Sequence, residues 1–271
     1  MNQNVGFIGC GKMAQAMIEG MIKSRLVNPG AIMASAVTDE TLRSVSEKYD
    51  ILVSKKNIEV AQHADLLILA IKPNIHATVL NEIAEVIDDQ KVVITIAAGI
   101  SLEYLESFFR TNRKIVRAMP NTPSLVGEGM SVICHNQQVN KEDLEKVLLL
   151  FNSFGKTEVI AEGLMDAIPA ISGSSPAYVY MFIEALADGG VRQGIPRKQA
   201  YKLAAQAVLG AAKMVLETER HPGELKDDVC TPGGATIEAV ASLEQEKFRS
   251  AILTAMDQCT KKTKQLSKKN E

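Results

Sequence analysis

The run Val5-Gly6-Phe7-Ile8-Gly9-Cys10-Gly11-Lys12-Met13-Ala14 constrains the fold of this chain more than any other segment. It sets G-x-G-x-x-A between a short aliphatic run that reads as a buried strand and an amphipathic stretch that reads as a helix, a context that lifts it above a bare glycine pattern. Gly9 permits a tight turn, Gly11 lets backbone approach a pyrophosphate, and Ala14 lets the helix pack close to the sheet. The helix N-terminus then offers unpaired N–H groups to the anion. A glycine turn in a nucleotide-free α/β protein is the competing reading, outweighed by strand, turn and helix coming in order. No Gly-Lys-Ser or Gly-Lys-Thr follows, which excludes a P-loop.

Beyond this motif, short aliphatic runs keep alternating with amphipathic stretches, the signature of β-α-β units. Strands are expected at 5–8, 32–35, 66–71, 92–97, 115–118, 130–134 and 157–160. Helices are expected to begin near Gly11, Asp39, Asn74 and Ser101, with another over 141–152. Past Glu162 the strand punctuation stops, and 176–194, 196–218, 237–243 and 247–266 read as helices. A length of 271 residues favours two domains over one core. The expected fold class is therefore α/β: a Rossmann-type, doubly wound parallel sheet over 1–162, followed by an all-α domain over 163–271. In the latter, Leu203, Ala207, Gly210 and Met214 recur at helical spacing and form a small-residue face suited to close helix approach.

Composition removes several function classes. A net charge of -2 argues against nucleic-acid binding, which needs a local excess of Lys and Arg. The cluster Lys261, Lys262, Lys264, Lys268 and Lys269 reads instead as the C-terminal decoration of a helix. The four cysteines and four histidines are scattered, without CxxC or helical ligand spacing, so neither disulfides nor a metal site is expected. The absence of a signal-like or membrane-length apolar run leads to the expectation of a cytoplasmic protein without membrane association.

Further motifs fall where strands end. In NAD-selective sites an acidic residue about 20 positions past the glycines takes the ribose hydroxyl. Here the second strand ends in Met33-Ala34-Ser35-Ala36-Val37, with no carboxylate to repel a 2′-phosphate. NADP is favoured over NAD, with Ser35 or the more distant Arg43 as phosphate contacts and Asp39 either the next helix's N-cap, the favoured reading, or a ribose contact. Leu69-Ala70-Ile71-Lys72-Pro73, Ala97-Ala98-Gly99 and Met119-Pro120-Asn121-Thr122-Pro123 end later strands at the same edge, where open α/β sheets bind ligands. Lys72 there is either a phosphate or ribose neighbour or a solvated lysine. In the helical half, Ser172-Gly173-Ser174-Ser175-Pro176-Ala177 and Thr231-Pro232-Gly233-Gly234-Ala235-Thr236 read as polar helix entrances. Each is either an ordinary cap or a nest for a carboxylate.

Taken together, these residues resemble the pyrroline-5-carboxylate reductase family along essentially the whole chain. The resemblance rests on Gly6 to Met13, Ala70-Ile71-Lys72-Pro73, Ala97-Ala98-Gly99, Met119 to Pro123 and Ser172 to Tyr178. Its most specific part is His221-Pro222-Gly223-Glu224-Leu225-Lys226 running into Val229-Cys230-Thr231-Pro232-Gly233-Gly234-Ala235-Thr236. It implies NAD(P)H-dependent reduction of (S)-1-pyrroline-5-carboxylate to L-proline, with NADPH as cofactor and NADH as the alternative. It also implies a helical dimerisation domain, a substrate site at the dimer interface, and dimers that assemble into decamers. By the same resemblance, cofactor contacts fall on Ile8, Gly9, Cys10, Gly11, Lys12, Met13, Ser35, Asn57, Ala70, Ile71, Lys72, Pro73, Ala97, Ala98 and Gly99. Substrate contacts fall on Val229, Thr231, Gly233, Gly234 and Thr236, with Glu219 nearby and Thr236 as the catalytic hydroxyl.

Two positions depart from the family pattern. Ala36 stands where relatives commonly carry Ser or Arg near the 2′-phosphate, and Ser175 replaces a glycine of the Ser-Gly-Ser-Gly-Pro loop. Two rivals are weaker. A β-hydroxyacid dehydrogenase needs a lysine after its second glycine loop, where this chain has Pro176, Ala177, Tyr178 and Val179. A non-catalytic NADP-sensing protein leaves the Thr231–Thr236 nest without a purpose.

Overall fold

The computed structural model describes residues 3–270, and the side chains of 3–266. The chain forms two compact units, Met1–Ser174 with Cys259–Glu271, and Ser175–Gln258. The first unit is built on an eight-stranded sheet of β1 (Val5–Ile8), β2 (Ile32–Ser35), β3 (Leu52–Ser54), β4 (Leu66–Leu69), β5 (Val92–Thr95), β6 (Lys114–Met119), β7 (Gly129–His135) and β8 (Gly155–Val159), in the order 3-2-1-4-5-6-7-8. Its helices are α1 (Lys12–Lys23), α2 (Asp39–Tyr49), α3 (Asn57–His63), α4 (His76–Ile83), α5 (Leu102–Glu106) and α6 (Lys141–Asn152).

Successive strand residues point to opposite faces, and each face has its own helices. Val5, Phe7, Leu66, Ile68, Val92 and Ile94 pack with Met17, Ile18 and Met21 of α1 and Phe151 of α6. Ile8, Leu67, Leu69 and Val93 pack with Val60 of α3, Leu80 and Ile83 of α4 and Leu105 of α5. The first six strands are parallel, as the alternating pattern implies. β7 reverses against β6 and β8 runs parallel to β7, so the far edge is antiparallel to the rest. The segment joining β6 to β7 is shorter than the dozen or so residues that a parallel crossover needs, which forces the reversal.

Some boundaries differ from the sequence expectation. β4 and β5 stop at Leu69 and Thr95, two residues before their aliphatic runs end, because the chain there leaves the sheet to build the strand-end loops. β3 and α3, which the sequence reading does not single out, complete the edge beside β2. Thr38, not Asp39, caps α2: its Oγ1 accepts from Thr41 N–H at 3.3 Å, and Asp39 takes the first helical position, where the macrodipole suits a carboxylate. Ser101 caps α5 as expected, accepting from Tyr104 N–H at 3.1 Å.

Residues 163–174 lie in the first unit. Arg117 of β6, almost fully buried, donates to Asp166 at 3.0 Å and to Glu162 at 3.5 Å, and Glu162 also accepts the N–H of Leu102 at 2.7 Å. The arginine is buried while both carboxylates stay about one third exposed, so the pairs keep the Arg117 charge matched and tie this segment to the sheet.

The second unit contains α7 (Ser175–Arg192), α8 (Arg197–Thr218), α9 (Pro222–Val229), α10 (Ala235–Gln245) and the first part of α11 (Phe248–Asn270). α9 is an addition to the expected helices. α7 and α8 pack together across a turn at Gly194, whose φ is +93°. Among the described residues of this unit only Ala187, Ala200 and Ala204 are buried hydrophobics. Tyr180, Met181, Leu203, Leu216 and Leu253 are each at least 60% exposed in the single chain. Lys261, Lys262 and Lys264 lie exposed on the last turns of α11, while Lys268 and Lys269 fall outside the described side chains.

One buried polar network ties the strand-end loops together. His76 is fully buried at the start of α4, its Nδ1 3.1 Å from Lys72 O and its Nε2 3.0 Å from Thr95 Oγ1. A carbonyl only accepts, so Nδ1 carries the proton; Thr95 then donates its hydroxyl to Nε2 and accepts from Ala97 N–H at 3.2 Å. The chain Ala97–Thr95–His76–Lys72 thus joins the loops after β4 and β5 with every polar atom satisfied. Burial holds the imidazole pKa below its ordinary value. The unfolded imidazole takes a proton that the folded one resists, so this stability is present above about pH 6.5 and is lost as the pH falls through it. Accordingly, His76→Leu should cost about 1–3 kcal/mol at pH 7.5 by orphaning Thr95 and the Lys72 carbonyl. The gap to wild type should narrow at pH 5.5; urea unfolding at the two pH values checks this, and an equal gap at both counts against it.

Candidate active site

The parallel strands β1 to β5 all end at one edge, and a cleft of about 350 Å³ opens there. Ile8, Gly9, Cys10, Gly11, Ser35, Asn57 and Ile71 of the sequence candidates line it. Gly9 has φ +89°, and its N–H donates to Ser35 O at 3.1 Å. A Cβ there would lie 2.6 Å from Ala70 O, so only glycine permits this turn. Gly11 is the N-cap of α1, and a Cβ on it would meet nothing within 4 Å. No side chain caps α1 and no acid occupies its first turn, so its leading N–H groups stay available to an anion. An open glycine, an uncapped helix start and an uncluttered cleft fit a dinucleotide pyrophosphate.

The side chains of the cleft are largely pre-engaged. Ser35 is buried; its hydroxyl donates to Asn57 Oδ1 at 2.7 Å, and Asn57 Nδ2 donates to Glu82 at 2.7 Å. Burial pushes the Cys10 thiol up to about 11, which makes it an inert wall and not a nucleophile. Lys12 is exposed at the first position of α1, and Met13 packs partly into the core. Ala70, Lys72, Pro73, Ala97, Ala98 and Gly99 stand at the same sheet edge but outside the lining of this cleft. Arg43, the alternative to Ser35 as a phosphate contact, borders a separate surface depression with Glu40, Ser44, Glu47 and Lys48.

The cleft also contains residues that the sequence reading did not single out: Thr38, Thr41, Lys55, Ile75 and Val79. Lys55 follows β3, a three-residue strand marked only by the short run Ile51-Leu52-Val53, which the sequence reading passed over. The rule that ligands sit at the carboxyl ends of parallel strands would have located it once that strand was known.

In the second unit, Thr231 to Gly234 form a tight turn, Gly234 N–H donating to Thr231 O at 3.0 Å with Gly233 at φ +67°. The turn leads into α10, whose N-terminus has no side-chain cap; Thr236 sits in its first turn, half-buried. This is a second uncapped helix start, suited to a carboxylate. Val229 ends α9, 62% exposed, and Glu219 ends α8 in a left-handed conformation. The other expected helix entrance is different in kind. Pro169–Gly173 is one turn of π-helix, Ser174 N–H donates to Pro169 O at 2.6 Å, and the chain runs on into α7. That N–H is therefore already spent within the chain.

Comparison with known proteins agrees with this arrangement. Residues 162–266 match the family model described as pyrroline-5-carboxylate reductase dimerisation, and residues 4–99 match that described as NADP oxidoreductase, coenzyme F420-dependent. The pyrroline-5-carboxylate reductase of Escherichia coli K12 is 48% identical over 99% of this chain and 100% of its own length. That of Arabidopsis thaliana is 40% identical over 97% of this chain and 95% of its own. Among solved structures, the Plasmodium falciparum pyrroline carboxylate reductase with NADP bound superposes with a TM-score of 0.87 at 34% identity, over 98% of both chains. The Coxiella burnetii enzyme gives a TM-score of 0.92 at 31% identity, over 98% of this chain and 99% of its own. The chain belongs to the pyrroline-5-carboxylate reductase family.

Proposed function

We infer that this protein is an NAD(P)H-dependent oxidoreductase that reduces the C=N bond of (S)-1-pyrroline-5-carboxylate to give L-proline, the last step of proline biosynthesis. The observation that carries this is the likeness to a reductase of that name at 48% identity over its whole length. NAD(P)H supplies the hydride taken up by the imine carbon. The chain's own residues do the rest by position and charge.

The turn at Gly9 and Gly11 and the open start of α1 hold the pyrophosphate. The Thr231–Gly234 turn and the start of α10 receive the substrate carboxylate, with Val229 and Glu219 flanking it. The Thr236 hydroxyl hydrogen-bonds the ring nitrogen and fixes which carbon faces the donor. Protonation of that nitrogen completes the balance of one hydride and one proton. The division of labour follows the two halves, 1–162 for the cofactor and 163–271 for substrate and dimerisation. The apolar helices of the second half are covered by another copy of the chain, in a homodimer that can assemble further to a decamer, in the cytoplasm.

Three outcomes are expected. Absorbance at the reduced-nicotinamide band should fall when pyrroline-5-carboxylate is added with NADPH; no loss with either NADPH or NADH rejects the reductase reading. Thr236→Ala should lower kcat/KM for the imine by about tenfold or more while leaving the NADPH dissociation constant within about twofold, as loss of a hydrogen bond to a charged group implies. Unchanged turnover removes Thr236 from the site. Gly9→Ala should weaken NADPH binding by at least about tenfold, because relieving the contact with Ala70 displaces the turn that cradles the pyrophosphate. Fluorescence titration with NADPH measures it.

A further inference from the structure

Lys55 is a cation on the wall of the cofactor cleft, beside Ser35, Thr38 and Thr41 at the β2 end. Its Nζ lies 2.7 Å from Asp39, the first residue of α2. Both side chains are more than half exposed, so solvent screens the pair and exchange of partners costs little. The neighbouring polar groups are committed elsewhere: Lys56 to Glu59 at 3.1 Å, Asn57 to Glu82, and Ser35 to Asn57. Arg43 borders a different depression. Thr38 Oγ1 donates to Thr41 Oγ1 at 2.8 Å, and both residues line the same cleft as Lys55.

This arrangement places one exchangeable cation and one carboxylate at the end of β2, where a dinucleotide held at Gly9 and Gly11 presents its adenosine ribose. We propose that the Asp39–Lys55 ion pair is this protein's selector between the two nicotinamide cofactors. Lys55 leaves Asp39 to bind a 2′-phosphate, with Thr38 and Thr41 adding hydroxyls, and Asp39 competes for Lys55 when that phosphate is absent. A dianionic phosphate is the stronger partner for the ammonium, so the selector leans towards NADPH. NADH remains acceptable, because Lys55 returns to Asp39 and no buried charge is left unpaired.

The proposal rests on the dinucleotide reading of the cleft, and its test needs no turnover. Calorimetry on the full chain with adenosine 2′,5′-bisphosphate and with 5′-AMP isolates the 2′-phosphate. Wild type should prefer the bisphosphate by about tenfold or more, a preference that shrinks at high salt. Lys55→Met keeps the stem and removes the charge; it should erase most of that preference while changing 5′-AMP affinity by less than about twofold. Asp39→Asn removes the competitor and should tighten the bisphosphate. Equal loss of both probes in Lys55→Met, loss of neither, or weaker bisphosphate binding in Asp39→Asn overturns the proposal. Nucleotide discrimination through Lys55 without pyrroline-5-carboxylate reduction would fail the reaction and leave the selector standing. Reduction with a phosphate preference indifferent to Lys55 would do the reverse.

Discussion

At the end of β1 the backbone passes so close to β4 that no side chain fits between them. The Ala70 carbonyl would lie 2.6 Å from any Cβ on Gly9, while Gly9 N–H reaches Ser35 O on one side and Ala70 N–H reaches Ile8 O on the other. This three-strand junction fixes where α1 begins and which way its unpaired N–H groups face. It also brings the β2, β3 and β4 ends to the cleft. The polar side chains around it hold one another in place, Ser35 through Asn57 to Glu82, and Lys72 through His76 and Thr95 to Ala97. The cleft is thus shaped before anything binds, and little ordering is left to be done on binding.

The second unit obeys the opposite constraint. Its described buried hydrophobics are alanines, which contribute little, while large side chains on α7, α8 and α11 face water in the single chain. Burying a Leu or Met side chain is worth about 1.5–3 kcal/mol, so leaving this many uncovered forgoes more than the net stability of a typical domain. The recurrence of Leu203, Ala207, Gly210 and Met214 along α8 describes a surface built to be covered. The match of residues 162–266 to a dimerisation family model accords with that need.

Legibility in the sequence tracked how strongly local chemistry determines each element. Val5–Ile8, Ile32–Ser35 and Lys141–Asn152 were readable to the residue from their hydrophobic patterns, and in the structure Asn140 caps the last of them. β3 and α3 were not, since three half-exposed residues at a sheet edge and seven helical ones carry no periodic signal. That omission hid Lys55, although Asn57 two residues later was carried over from the family resemblance. The glycine motif was legible because backbone geometry allows nothing else, whereas side-chain direction on α2 follows from packing and not from composition. The sign of the β6–β7 pairing was likewise set by loop length, a constraint that hydrophobic pattern does not express.

Two motifs that read as separate punctuation prove to be one structure. In a regular helix the Ser172 carbonyl would accept from the N–H four residues on, but that residue is Pro176, which has none. A partly buried carbonyl left without a partner is costly, and Asn121 removes the cost: its Nδ2 donates to Ser172 O at 3.0 Å while its Oδ1 accepts from Met130 N–H at 2.9 Å. The Met119–Pro123 segment therefore bridges the missing bond to β7. Ser172 lies in the π turn at Pro169–Gly173. Pro176 thus does more than open a helix. By withdrawing one donor it makes the chain before α7 depend on a side chain from the end of β6, so the geometry at the sheet edge and the course of that helical segment are set together.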